Sequence, residues 1–121
     1  MTPAGPGRLL SGWGRACPSA AFVSQPGSAA EVVELLAQSG PHLARGLGRS
    51  YGDAAQCAGG TVIDCTAMDR IVELDNSACT VRVQAGCSLD SLMRVIVPRG
   101  LFVPVTPGTR QVSVGGAVAS D

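Results

Sequence analysis

A chain of 121 residues with 45% hydrophobic content supports one domain with a core of its own, and is short for a complete cofactor-dependent enzyme. Nine arginines balance nine acidic residues to a formal net charge of +0, and the cations are dispersed along the chain, which excludes a general nucleic-acid or anionic-membrane surface. The five cysteines form no C-x-x-C, the single His42 cannot complete a Cys/His zinc set, and no run reaches the roughly 18 apolar residues of a membrane helix, so we expect buried free thiols, no metal and a soluble protein of a reducing compartment.

Met1 to Gly7, with two prolines and two glycines, reads as a disordered start. The lone Trp13, flanked by Gly12 and Gly14, either plugs a core edge or stacks on a ligand, and without a visible partner the plug is expected. Ala21-Phe22-Val23 predicts a short strand that Pro26-Gly27 breaks. Ser28-Ala29-Ala30-Glu31 is a capping box, since a serine oxygen at the N-cap takes an orphan helix N–H and a glutamate at the third position reaches back. The helix it opens carries Val32, Leu35 and Leu36 at helical spacing, widened by Val33, and ends at Gly40-Pro41.

His42-Leu43-Ala44 makes a brief extended entry into Ala44-Arg45-Gly46-Leu47-Gly48-Arg49-Ser50-Tyr51-Gly52-Asp53, which holds three glycines, two arginines and a serine. Successive inward N–H groups of such a stretch can cradle an anion, with arginine and serine as supplementary donors. A nucleoside triphosphatase P-loop is disfavoured because the chain has no lysine, and the glycine spacing does not fit G-x-G-x-x-G. On composition alone an anion cradle and an ordinary surface turn are equally open.

Gly59-Gly60 then leads into a predicted strand, Thr61 to Cys65. Ile71 to Leu74 and Thr80 to Ala85 alternate around Asp75-Asn76-Ser77 as a hairpin, in whose second arm Val81, Val83 and Ala85 are expected to point inward. Ser88 caps a second helix, with Leu89, Leu92, Met93 and Ile96 on one face and Pro98 and Gly100 at its end. Pro104 to Ala117 is expected to be a second glycine- and hydroxyl-rich loop, serving either a ligand or close backbone packing at Gly115-Gly116.

The capped helix after Pro26, R-G-L-G-R-S-Y-G-D, V-I-D, V-Q-A-G and P-G-T-R-Q-V-S-V-G-G, taken in this order, resemble the FAD-binding domain of the vanillyl-alcohol oxidase and para-cresol methylhydroxylase superfamily. The resemblance implies an α+β fold of small sheets with flanking helices and two glycine-rich cofactor loops. Residues 1–20 would be an N-terminal extension, and residues 21–121 an FAD-binding domain of this type, truncated at its C-terminal end. By position, Ala44, Arg45, Gly46, Leu47, Gly48, Arg49, Ser50, Tyr51, Gly52, Asp53 and Ala54 would wrap the FAD pyrophosphate, with the N–H groups of Gly46 to Ser50 as main donors. Gly108, Thr109, Ser113, Val114, Gly115 and Gly116 would line the ribityl and isoalloxazine side. The family's catalytic groups would lie beyond Asp121, and His42 would be an ordinary side chain.

Leu10 to Arg15, together with R-G-L-G-R-S-Y-G-D and P-G-T-R-Q, looks most like the branch of this superfamily that oxidises the ribose 2-hydroxyl of a polyprenyl-phosphate sugar in cell-wall arabinan synthesis. That branch implies a lipid-linked or small-molecule sugar substrate, a reductase partner that completes epimerisation, and a cytoplasmic location at the membrane surface. A sugar-lactone or aldose oxidase, and a truncated binding fragment without activity of its own, are the alternative readings.

Overall fold

The computed structural model describes residues 7–120. Met1 to Pro6 of the expected disordered start lie outside the described residues, but Gly7 does not belong with them: it opens a strand, β1 (Gly7–Leu10). β1 pairs antiparallel with β2 (Ser19–Ser24), with Leu10 opposite Ser19 and Gly7 opposite Phe22. The capped helix α1 (Ala29–Leu36) follows as the sequence predicts, with the Ser28 side chain accepting from the Glu31 N–H and the Glu31 carboxylate accepting from the Gly27 N–H. This reciprocal arrangement satisfies two donors at the helix entry.

The extended entry becomes β3 (His42–Arg45), and Thr61–Asp64 becomes β4. In space β4 lies between β2 and β3 and runs parallel to both, giving the order β1-β2-β4-β3. A central parallel strand has neighbours on both edges and is buried on both faces, so it reads as a continuous apolar run. Thr61, Val62 and Ile63 are accordingly all buried, and Val62 is completely so, packed with Ala21 and Val23. Cys65, expected to extend this strand, instead opens a 3-10 turn that Asp64 caps through the Thr66 N–H.

The hairpin forms from β5 (Ile71–Asp75) and β6 (Thr80–Val83) as a two-stranded ribbon with a bulge between Ile71 and Glu73. Its inward face differs from expectation. Ile71, Leu74 and Val83 pack on the core, whereas Val81 and Ala85 are exposed. The bulge puts Ile71 and Leu74, three residues apart, on the same side, and a lone ribbon is covered only where a helix lies on it.

That helix is α2 (Leu89–Ile96), capped by Ser88, whose Oγ accepts from the Ser91 N–H. Its Leu89, Leu92 and Ile96 are buried with Cys87 in a second core, against Ile71, Leu74, Val83 and Met93. A 3-10 turn over Val97–Arg99 ends at Gly100, which takes the left-handed conformation at φ 76.

The second glycine-rich stretch is only partly a loop. Residues 104–111 are exposed, but Val114–Ser120 form a short helix, α3, so that Gly115 and Gly116 are helical. Glycine in a helix interior costs about 0.5–1 kcal/mol relative to alanine. Three anchors offset that here: Val114 donates to the Cys87 carbonyl, Gly115 to the Ala85 carbonyl, and Gly116 to the Ser113 Oγ. Among the described residues no helix is long and apolar enough to cross a membrane.

Candidate cofactor site

The stretch from Gly46 onward leaves the carboxyl end of β3, and in parallel sheets that end is where ligands are held. It bends sharply because Gly48 and Gly52 have φ of 70 and 59. Among the described residues, no protein group accepts a hydrogen bond from the backbone N–H of Gly46, Leu47, Gly48, Arg49 or Ser50. Five consecutive free donors on a half-buried loop are a cost to an ordinary turn and an asset to an anion site.

The Arg45 side chain folds under this loop. Nη1 donates to the Ala55 carbonyl at 2.7 Å and Nη2 to the Ser11 carbonyl at 2.8 Å. It also occupies the space next to Gly48, where a Cβ would run into its guanidinium. Burial holds the Arg45 pKa below its ordinary value, with Asp64 opposing the shift and Arg8 adding to it. Both Nη groups are thus engaged with main-chain carbonyls, and Arg45 braces the loop from below.

Arg49 reaches the other way. Its Nε donates to the Gln111 carbonyl at 3.0 Å, and its guanidinium carbon lies 4.5 Å from the centre of the Trp13 ring. Trp13 itself donates its backbone N–H to the Ser50 carbonyl at 2.9 Å, and Gly12 packs so close that a Cβ there would strike the Gly52 carbonyl. Trp13 is 51% exposed, so the expected core plug is overturned. Gly12 is what lets the loop main chain come close, whereas Gly14 has nothing within 4 Å of its Cβ position.

The structure brings the two predicted segments together at Gly46 and Ser113: a Cβ on Gly46 would collide with the Ser113 Oγ. Ser113 is buried, and its Oγ is also the acceptor for Gly116. Val114, Gly115 and Gly116 spend their N–H groups inside the protein, unlike Gly46 to Ser50. Gly115 is in addition a packing point, since a Cβ there would lie 2.9 Å from that of Ala85. Gly108 and Thr109 are exposed, and Thr109 Oγ1 accepts from the Gln111 N–H. On the far side of the first loop Ser50, Tyr51, Gly52, Asp53 and Ala54 are exposed, while Ala44 is an exposed residue of β3.

Sequence reasoning missed the tie between Ser11-Gly12-Trp13 and the first loop, and the role of Gln111. A glycine-flanked Trp in a chain with an arginine-bearing loop was the available signal. His42 lies on β3, with Nε2 buried and lacking a hydrogen-bond partner. The five thiols are all free, but only Cys87 is buried; Cys57 and Cys65 are half-buried, and Cys17 and Cys79 are exposed at φ of 46 and 54. The expectation of buried thiols therefore fails for the two that sit in positive-φ turns. Burial, reinforced by Asp64 and Asp69 respectively, pushes the Cys65 and Cys87 thiols up, away from the reactive thiolate.

The family model for an FAD binding domain matches residues 20–121. The chain is 51% identical over 119 residues, 94% of its length, to decaprenylphosphoryl-beta-D-ribose oxidase of Mycolicibacterium smegmatis, and covers 26% of that protein. It is 34% identical over 70 residues to D-lactate dehydrogenase of Anaerostipes hadrus, which covers 58% of this chain and 15% of that protein. It is also 31% identical over 108 residues to L-gulono-1,4-lactone dehydrogenase of Mycobacterium tuberculosis, covering 86% of this chain and 25% of that protein. The chain thus spans about a quarter or less of the length of these relatives. The residues present suit the cofactor that the match implies, with a run of free N–H donors for a diphosphate and glycines where no Cβ fits. An α+β chain with this loop pair, matched over most of its length, belongs to the FAD binding domain family of the vanillyl-alcohol oxidase and para-cresol methylhydroxylase type, and its cofactor is FAD.

Proposed function

We propose that this chain holds FAD in an oxidoreductase that acts on a sugar CH–OH group, with residues 44–54 around the diphosphate and Gly108, Thr109 and Ser113 to Gly116 along the ribityl and flavin side. The observation that carries this reading is the run of five unpartnered N–H groups from Gly46 to Ser50. Two negative phosphates would satisfy donors that the protein leaves free, and the half-buried Arg45 cation beneath Gly48 adds a favourable field without direct contact. Bound FAD supplies the two-electron acceptor for alcohol oxidation. The chain's own residues bind and orient it: Arg45 and Arg49 hold the first loop in shape, while Ser113 fixes the start of α3 against Gly46.

For the substrate we favour a decaprenylphosphoryl ribose, oxidised at its 2-hydroxyl at the cytoplasmic membrane surface, with a reductase completing an epimerisation. The support is the 51% identity to the ribose oxidase against 31% to the lactone dehydrogenase, each over most of this chain.

Titration of the purified chain with FAD, ADP and riboflavin tests the binding step. FAD and ADP, which carry the diphosphate, should both bind, with FAD at least tenfold tighter than riboflavin. Equal affinity for FAD and riboflavin, or no response to FAD, refutes the cradle.

A further inference from the structure

We infer that Ser11-Gly12-Trp13, which precedes the residues matched by the FAD binding domain family, is a positioning clasp for the diphosphate loop, with the Trp13–Arg49 stack as its catch. The inference rests on the flavin-site reading and deepens it. Residues 11–13 touch the first loop in four ways: Ser11 O accepts from Arg45, Trp13 N–H donates to Ser50 O, Gly12 packs on the Gly52 carbonyl, and the Trp13 ring lies against the Arg49 guanidinium. Three of the four are main-chain contacts, and the ring stack is the one made by the tryptophan side chain.

Arg49 is pinned on both sides, by Trp13 and by the Gln111 carbonyl, so the stack links the N-terminal segment to both glycine-rich segments. The five free N–H groups lie between these attachment points, from Gly46 to Ser50. A loop whose donors all lack internal partners has nothing within itself to hold their direction. The clasp restrains it from outside, lowering the cost of ordering the loop when an anion binds. Trp13 and Arg49 are positioning residues here, since their observed contacts are with the protein.

A double-mutant cycle on the purified chain tests this, with FAD and riboflavin as probes. A cation–aromatic contact at a half-exposed site corresponds to about three- to fivefold in affinity. Trp13→Leu and Arg49→Met should each weaken FAD by about that factor, and the double variant should lose no more than either single one. Trp13→Phe, which keeps an aromatic face, should bind FAD close to wild type, and riboflavin affinity should be unchanged in every variant. Since Trp13 is the sole tryptophan, Arg49→Met should also shift the protein's intrinsic emission without flavin present. Additive losses, an equal loss for riboflavin, or unaltered emission in Arg49→Met overturns the clasp. A wild-type chain that takes no FAD overturns the flavin-site reading together with it, whereas wild-type binding with additive variants overturns the clasp alone.

Discussion

Gly48→Ala separates two costs that the first loop imposes on any side chain. The first is conformational: at φ 70 an L-residue is in the left-handed region, at about 1–2 kcal/mol. The second is collision, because the new Cβ would run into the Arg45 guanidinium, with Cζ at 2.9 Å and Nε at 3.3 Å. Arg45 must then move off the Ser11 and Ala55 carbonyls, and a hydrogen bond from a charged donor contributes about 1.5–3 kcal/mol. A flexible side chain recovers part of this by shifting, so we expect the loss of about one such bond and a total near 3 kcal/mol. Gly59→Ala is the control, since Gly59 has φ 72 and nothing within 4 Å of its Cβ position. Urea unfolding should place Gly59→Ala about 1–2 kcal/mol below wild type and Gly48→Ala at least 1.5 kcal/mol lower still, the difference being the Arg45 term. In the same variant FAD affinity should fall at least tenfold, against little change for Gly59→Ala. Equal stability of the two variants would refute the bracing role of Arg45.

Ser113→Ala removes the acceptor for the Gly116 N–H at the start of α3 and should cost about 1 kcal/mol, seen as a lower thermal midpoint. Thiol labelling of the native chain should modify Cys17 and Cys79 quickly and Cys87 only on unfolding; fast labelling of Cys87 would contradict its burial between the hairpin and α2. Asp75 accepts from the Ser77 hydroxyl and from the Ala78 and Ser77 N–H groups, which hold its pKa below the ordinary 3.8. A carboxylate whose folded pKa is depressed stabilises fully above its unfolded value, and that contribution disappears as pH falls through 3.8 and below. Acid titration of stability should therefore be flatter in Asp75→Asn than in wild type below about pH 4.

Both long helices were legible because their information is local: a serine cap and apolar residues three and four apart need no distant partner to declare themselves. The central strand was visible as Thr61 to Cys65, one residue longer than the β4 observed, although its place between two earlier strands was not. The hairpin was found from its turn, but which of its side chains are covered depends on a bulge and on α2, and neither is written into the alternation of Val81 and Val83. Gly115 and Gly116 read as loop residues because glycine disfavours helix, and long-range anchors to Ala85 and Cys87 override that preference. In the site, the glycines marked where the chain bends, at Gly48 and Gly52, while a cradle and an ordinary turn stayed equally open on composition. The arginines announced charge but not direction: Arg45 turns to carbonyls 10 and 34 residues away and Arg49 to one 62 residues away. A single sequence contains no measure of such separations.

The position of β4 has a consequence for how the molecule comes to exist. β3 carries the first loop at its carboxyl end, yet within the sheet its hydrogen-bonding neighbour is β4, a strand made later in the chain. On a ribosome the residues of the loop therefore emerge before Thr61–Asp64, the strand that pairs with β3 at their base. Pairing of β4 with both β2 and β3 buries Val62 and joins β3 to the rest of the sheet. A substitution that weakens the docking of β4 should therefore loosen the base of the first loop together with the sheet.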